Sequence, residues 1–142
     1  MQSFTVDASI ALKWVSLEKE LYLDKARLLF TKAVKKEIIL IAPTLLKAEF
    51  ANVLLKKKKL SVASCQKALQ IINKANIIYT ELTDLLIKMA IKLAAKYELS
   101  VYDGIYIATA EFTSSRLVSD DEKGHGKIKD VILLKDLEFT SE

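Results

Sequence analysis

Short runs of β-branched and aliphatic residues alternate with longer amphipathic stretches along nearly the whole chain. This alternation narrows the fold more than any other feature. Phe4–Val6 reads as a strand, and Ser9–Val15 and Glu18–Lys36 as helices. Glu37–Ala42 reads as a second strand, stopped by Pro43, and Pro43–Lys59 as a helix with proline in its first turn. Ser61 is placed to cap a helix reaching about Lys74, Asn76–Tyr79 reads as a third strand, and Thr83 or Asp84 opens a helix to about Tyr97. Ser100 then caps a helix to about Phe112, Arg116–Ser119 is a fourth strand, Asp120–Lys129 a polar loop and Val131–Leu134 a fifth strand. Strands separated by helices pair in parallel. The expectation is an α/β chain, residues 1–142 forming a single domain around a mostly parallel central sheet of four to five strands flanked by helices.

Composition removes most catalytic chemistries. Three glycines and one proline are too few for the turns of an all-β fold, and half the residues (51%) are hydrophobic, enough for a sizeable core. The single cysteine, Cys65, excludes a disulfide framework, and the single histidine, His125, excludes a multi-histidine metal site. Ile38–Leu46, the longest uncharged run in the first half, is far below the ~20 residues needed to span a membrane. Residues 1–7 carry no basic residue and no long apolar run, so a cytoplasmic protein is expected. Carboxylates and lysines remain for chemistry.

The informative residues are acids with apolar neighbours. Asp7 directly follows the first strand, and Asp120 and Asp121 follow the fourth. Ligands of open parallel sheets bind outside the carboxyl ends of the strands. Glu49 shares a helical line with Leu45 and Asn52, and Asp103 shares one with Leu99, Ile107 and Ala110. Taken singly, Asp7 and Asp103 also suit helix N-caps, Glu49 the wet edge of its stripe, and Asp120 and Asp121 a surface loop. Burying such acids is costly unless a cation or hydrogen bonds compensate, and acids drawn toward an apolar interior from separate elements point to one shared cation. Oxygen donors suit Mg²⁺ or Mn²⁺, ions that polarise phosphate oxygens and activate water.

Four stretches then show a resemblance. Val6-Asp7-Ala8-Ser9-Ile10-Ala11-Leu12-Lys13-Trp14 resembles the opening of PIN-domain proteins of the VapC toxin type. Pro43 with Glu49, Asn52, Val53 and Leu54 is similar to their second motif, and Tyr102-Asp103-Gly104 with Tyr106 to their third. Leu117-Val118-Ser119-Asp120-Asp121 resembles their fourth. The resemblance implies a three-layer PIN-like fold and a Mg²⁺- or Mn²⁺-dependent ribonuclease with Asp7, Glu49, Asp103 and Asp121 as its acidic quartet. By the same matching, Ser9 and Ser119 stand at the family's hydroxyl positions and Asn52 at its frequent asparagine, while Gly104 replaces the usual alanine. Asp120 is an additional acid that either assists the metal or displaces Asp121. The resemblance further implies a homodimer and a small VapB-type antitoxin that neutralises the acids.

The charge is unevenly distributed. Residues 43–75 hold seven lysines against Glu49, a local +6 that leaves −2 for the remainder of a chain of net +4. Lys56, Lys57, Lys58 and Lys59 suit either a solvated helix end or a phosphate-gripping patch. Lys123, His125, Lys127 and Lys129 form a second small basic set, after Asp121, whose position suits either contact with RNA or a mobile surface loop. Two other readings use the same residues: a non-catalytic PIN-like module that binds RNA or protein, and a Mg²⁺-dependent phosphatase or DNA-directed nuclease.

Overall fold

The computed structural model describes residues 1–125 and 128–140, with the backbone alone at 123–124. Five strands form one all-parallel sheet: β1 (Ser3–Val6), β2 (Ile39–Pro43), β3 (Ile78–Thr80), β4 (Arg116–Ser119) and β5 (Val131–Leu133). Their order across the sheet is β3-β2-β1-β4-β5. The helices are α1 (Ala8–Trp14), α2 (Leu23–Val34), α3 (Leu45–Asn52), α4 (Val62–Asn73), α5 (Asp84–Tyr97), α6 (Val101–Phe112) and α7 (Glu122–His125). The α/β expectation holds, and the sheet is wholly rather than mostly parallel.

Connections from β1 to β2 to β3 run outward in one direction, and the connection from β3 to β4 returns across the sheet. Right-handed crossovers therefore put α1 to α4 on one face and α5 and α6 on the other. In agreement, α6 packs across β1, β2 and β4, and α5 packs on α6. The strand order reverses between β1 and β4, so the loops after these two strands diverge and leave a crevice at their carboxyl ends. The register pairs Val6 with Val118, which brings Asp7 beside Ser119 at that crevice.

The core consists of Val6, Ile10, Leu29, Leu40, Leu46, Phe50, Ile72, Leu117 and Val118, all essentially without solvent contact. Each buried side chain of this size contributes about 1.5–3 kcal/mol. Trp14 belongs to the same core: its indole N–H donates to the Ala26 carbonyl at 2.9 Å, and its ring lies 5.3 Å from that of Phe30. Ser61, Thr83 and Ser100 are the N-caps expected, each hydroxyl accepting a backbone N–H three residues on.

Several boundaries differ from expectation. The helix read from Glu18 begins only at Leu23, because side chains capture the preceding backbone: Lys13 Nζ donates to the Leu21 carbonyl at 2.8 Å, and Tyr22 adopts a left-handed φ of 63°. Pro43 ends β2 instead of opening a helix, pairing in register with Thr80. The helix that follows is α-helical only to Asn52 and continues as a π-helical turn over Val53–Lys57, where the Lys58 N–H reaches back to the Val53 carbonyl at 2.9 Å. The polar loop after β4 contains α7.

Candidate metal centre

Asp7 anchors the crevice. It leaves β1 in extended conformation and caps α1, its carboxylate accepting the Ile10 N–H at 3.4 Å. Ser9 Oγ and Ser119 Oγ each donate to it at 2.5 Å. These hydroxyls are themselves held by the loop after β4, with the Asp120 N–H donating to Ser9 Oγ at 2.9 Å and the Asp121 N–H to Ser119 Oγ at 3.0 Å. Two serines thus join the ends of β1 and β4 through one carboxylate. Asp7 is only 6% exposed, and burial lifts its pKa above the usual carboxylate range despite the bonds from Ser119 and Ser9 and the nearby His125.

Glu49 and Asp103 approach from α3 and α6. Tyr106, one turn along α6 from Asp103, donates its hydroxyl to Glu49 Oε2 at 3.3 Å. Burial raises the Glu49 pKa; the Tyr106 hydroxyl opposes the rise, and the charges of Asp7 and Asp103 add to it. Asp103 is held low, chiefly by its hydrogen-bonding contact with His125. Asp103, Asp121 and His125 each offer a ligand atom within 4.8 Å of the other two. The structure therefore brings together Asp7, Ser9, Glu49, Asp103, Ser119 and Asp121. Asn52 is exposed, and among the described residues no hydrogen bond joins it to the acids.

Asp120 is held elsewhere. Its Oδ2 lies 3.2 Å from Lys13 Nζ, and Lys13 also meets Glu20 Oε1 at 3.4 Å. Lys13 is 4% exposed, so its ammonium depends on these partners. Of the basic residues expected to touch RNA, Lys56–Lys59 are exposed, and Lys58 pairs with Glu18 at 3.5 Å. The Lys123 side chain and all of Lys127 lie outside the described residues; Lys129 is exposed.

His125 requires a correction. Expected as a basic residue of a polar loop, placed to touch RNA, it is 1% exposed on α7. Its Nε2 lies 3.6 Å from Asp103 Oδ1 and 3.7 Å from Asp7 Oδ2. Burial pulls its pKa down, but Asp103, Asp7 and Asp121 outweigh that and hold it above the ordinary histidine value. Lys13 and Tyr106 were also not foreseen as partners of the acids. The spacing from Asp121 to His125, one helical turn, was the only available signal for the histidine.

A divalent cation fits this donor set. Asp7 and Glu49 are crowded, buried carboxylates at raised pKa, and hard oxygen donors dominate the set. Beside Ser9 and Asp120 lies a groove of about 280 Å³ that is also lined by Lys13, Leu12, Leu54 and Leu60. A larger cavity, lined by Arg116, Ile132 and Glu138 among others, includes none of Asp7, Glu49, Asp103 and Asp121.

Comparison with known proteins gives a consistent result. The family described as PIN domain matches residues 4–130. No curated protein sequence matches the chain. Among solved structures, the PAE2754 protein of Pyrobaculum aerophilum superposes with a TM-score of 0.68 at 20% identity, covering 94% of this chain and 85% of that one. The toxin VapC20 of Mycobacterium tuberculosis, described as cleaving the sarcin–ricin loop, gives 0.67 at 14%, covering 86% and 91%. VapBC2 of Rickettsia felis, bound to a DNA fragment from its promoter, gives 0.66 at 17%, covering 93% and 97%. At these identities the structural likeness concerns the fold.

Proposed function

The chain belongs to the PIN domain family, and from that premise we propose that it is a divalent-metal-dependent ribonuclease, the toxin of a VapBC-type toxin–antitoxin pair. The observation that carries this reading is the convergence of Asp7, Glu49, Asp103 and Asp121, from four separate segments, on the crevice between β1 and β4. These four hold the cation. Mg²⁺ or Mn²⁺ held there would supply a Lewis acid for a phosphodiester oxygen and would lower the pKa of a water so that hydroxide is available as the nucleophile.

The chain's own residues prepare for that chemistry. Ser9 and Ser119 fix both oxygens of Asp7, so its carboxylate needs no reorganisation when the cation binds. Tyr106 restrains Glu49, and Lys13 withdraws Asp120, leaving Asp121 as the fourth acid. Lys56–Lys59, exposed beyond the helix that carries Glu49, meet RNA phosphates. The groove beside Ser9, with Leu12, Leu54 and Leu60 in its wall, receives a segment of the antitoxin. Leu85, Ile91, Val101 and Phe112 leave apolar surface on α5 and α6, which supports a homodimer.

Labelled RNA incubated with the purified protein and Mg²⁺ or Mn²⁺, with and without EDTA, tests the reading. Cleavage should require the ion and fall at least about 100-fold in Asp7→Asn and Asp103→Asn. Full activity in both variants refutes the centre. Failure to cleave any RNA with either ion refutes the ribonuclease and favours a binding module.

A further inference from the structure

An all-carboxylate cation site has no need of an imidazole, yet one lies inside this one. His125 is 1% exposed, and its Nε2 stands 3.6 Å from Asp103 Oδ1 and 3.7 Å from Asp7 Oδ2. One atom from each of His125, Asp103 and Asp121 falls within 4.8 Å of the other two. Donors that share one ion at about 2.0–2.2 Å can be separated by no more than roughly 4.4 Å, so the Nε2 spacings to Asp7 and Asp103 fit a shared ion.

The rest of the ring does not account for its position. Buried Nδ1 has no hydrogen-bond partner among the described residues, a defect worth about 1–3 kcal/mol. A buried histidine kept for structure normally has both nitrogens satisfied. Among the described residues only the nitrogen aimed at the acids has partners, and these are the carboxylates of Asp7 and Asp103. Imidazole is a poor ligand for Mg²⁺, which prefers oxygen and keeps its waters, and a better one for first-row transition ions, of which Mn²⁺ is the weakest binder.

We propose that His125 is a nitrogen ligand of the cation held by Asp7, Asp103 and Asp121, and that it biases this centre toward Mn²⁺ over Mg²⁺. The inference rests on the metal-dependent reading of the site and goes beyond it by adding a non-carboxylate ligand and a selectivity. His125 enters from α7, the segment that follows Asp121, so ion binding also ties that segment to the sheet edge.

The chain contains one histidine, which makes the test unambiguous for tag-free protein. Electron spin-echo spectroscopy of the Mn²⁺-loaded full chain should show coupling to an imidazole ¹⁴N, and His125→Gln should abolish it. Competition titrations should show wild-type protein binding Mn²⁺ at least about tenfold more tightly than Mg²⁺. His125→Gln should lose most of that preference through weaker Mn²⁺ binding, with Mg²⁺ binding little changed. Wild-type protein that binds Mn²⁺ without ¹⁴N coupling overturns the proposal while leaving the metal site intact. Wild-type protein that binds neither ion overturns the metal-dependent reading and this inference together. The ¹⁴N measurement needs no variant, so poor folding of His125→Gln does not blunt the test.

Discussion

Asp120 and Asp121 are neighbours in sequence with different surroundings. Lys13 engages the carboxylate of Asp120, whereas Asp121 lies with Asp103 and His125. Asp120→Asn should therefore retain cleavage within about threefold, and Asp121→Asn should lose about 100-fold, roughly 2.7 kcal/mol of transition-state stabilisation. The reverse ranking in a single-turnover assay would reassign the fourth acid. Asp7 allows a test of sign. Its folded pKa is raised above 3.8, so the folded protein without metal binds more protons than the unfolded chain, and stability falls as pH climbs from 3.8 through the raised value. At neutral pH, Asp7→Asn should remove that penalty and raise the melting temperature of metal-free protein, since Asn also caps helices well. Added Mn²⁺ should stabilise wild type but not this variant, as melting curves with and without the ion would show. The acids were legible because a charged residue on an apolar stripe is conspicuous. Lys13 and His125 were not, because lysine beside tryptophan and histidine in a basic loop are ordinary until burial is known.

At the scale of elements, α5 and α6 meet through Gly104. A Cβ at that position would lie 2.5 Å from the backbone carbonyl oxygen of Ala90, closer than real contacts permit. Alanine would add about 1 kcal/mol of helix propensity, but backbone cannot step aside as a side chain can. Gly104→Ala should therefore destabilise the fold by about 1–3 kcal/mol, measurable by urea denaturation. The family's usual alanine is therefore excluded at this position by the close approach of α5. Strand positions and the caps Ser61, Thr83 and Ser100 were readable, because β-branched runs and hydroxyls ahead of apolar periodicity act locally. The late start of α2 and the π-helical turn after Asn52 were not. They follow from a buried lysine taking the Leu21 carbonyl and from the junction of α3 with α4, both tertiary effects.

Across the whole molecule, the acids gather at one sheet edge while Lys56–Lys59 stand exposed at the end of the helix bearing Glu49. Replacing these four lysines by glutamine should weaken RNA binding similarly for all sequences. It should also flatten the plot of log affinity against log salt by up to about three units, given a slope near −0.7 per phosphate contact. An unchanged slope, read by fluorescence anisotropy, would assign the lysines to a solvated helix end. The strand order β3-β2-β1-β4-β5 carries one more consequence. Because β4 is inserted beside β1 only after the first 115 residues have been made, Asp7 waits for its Ser119 bond until the chain has grown past residue 119, and for Asp121 until slightly later. A nascent chain that has not yet emerged past Asp121 lacks the complete set of acids, so the centre can form only once β4 has joined β1.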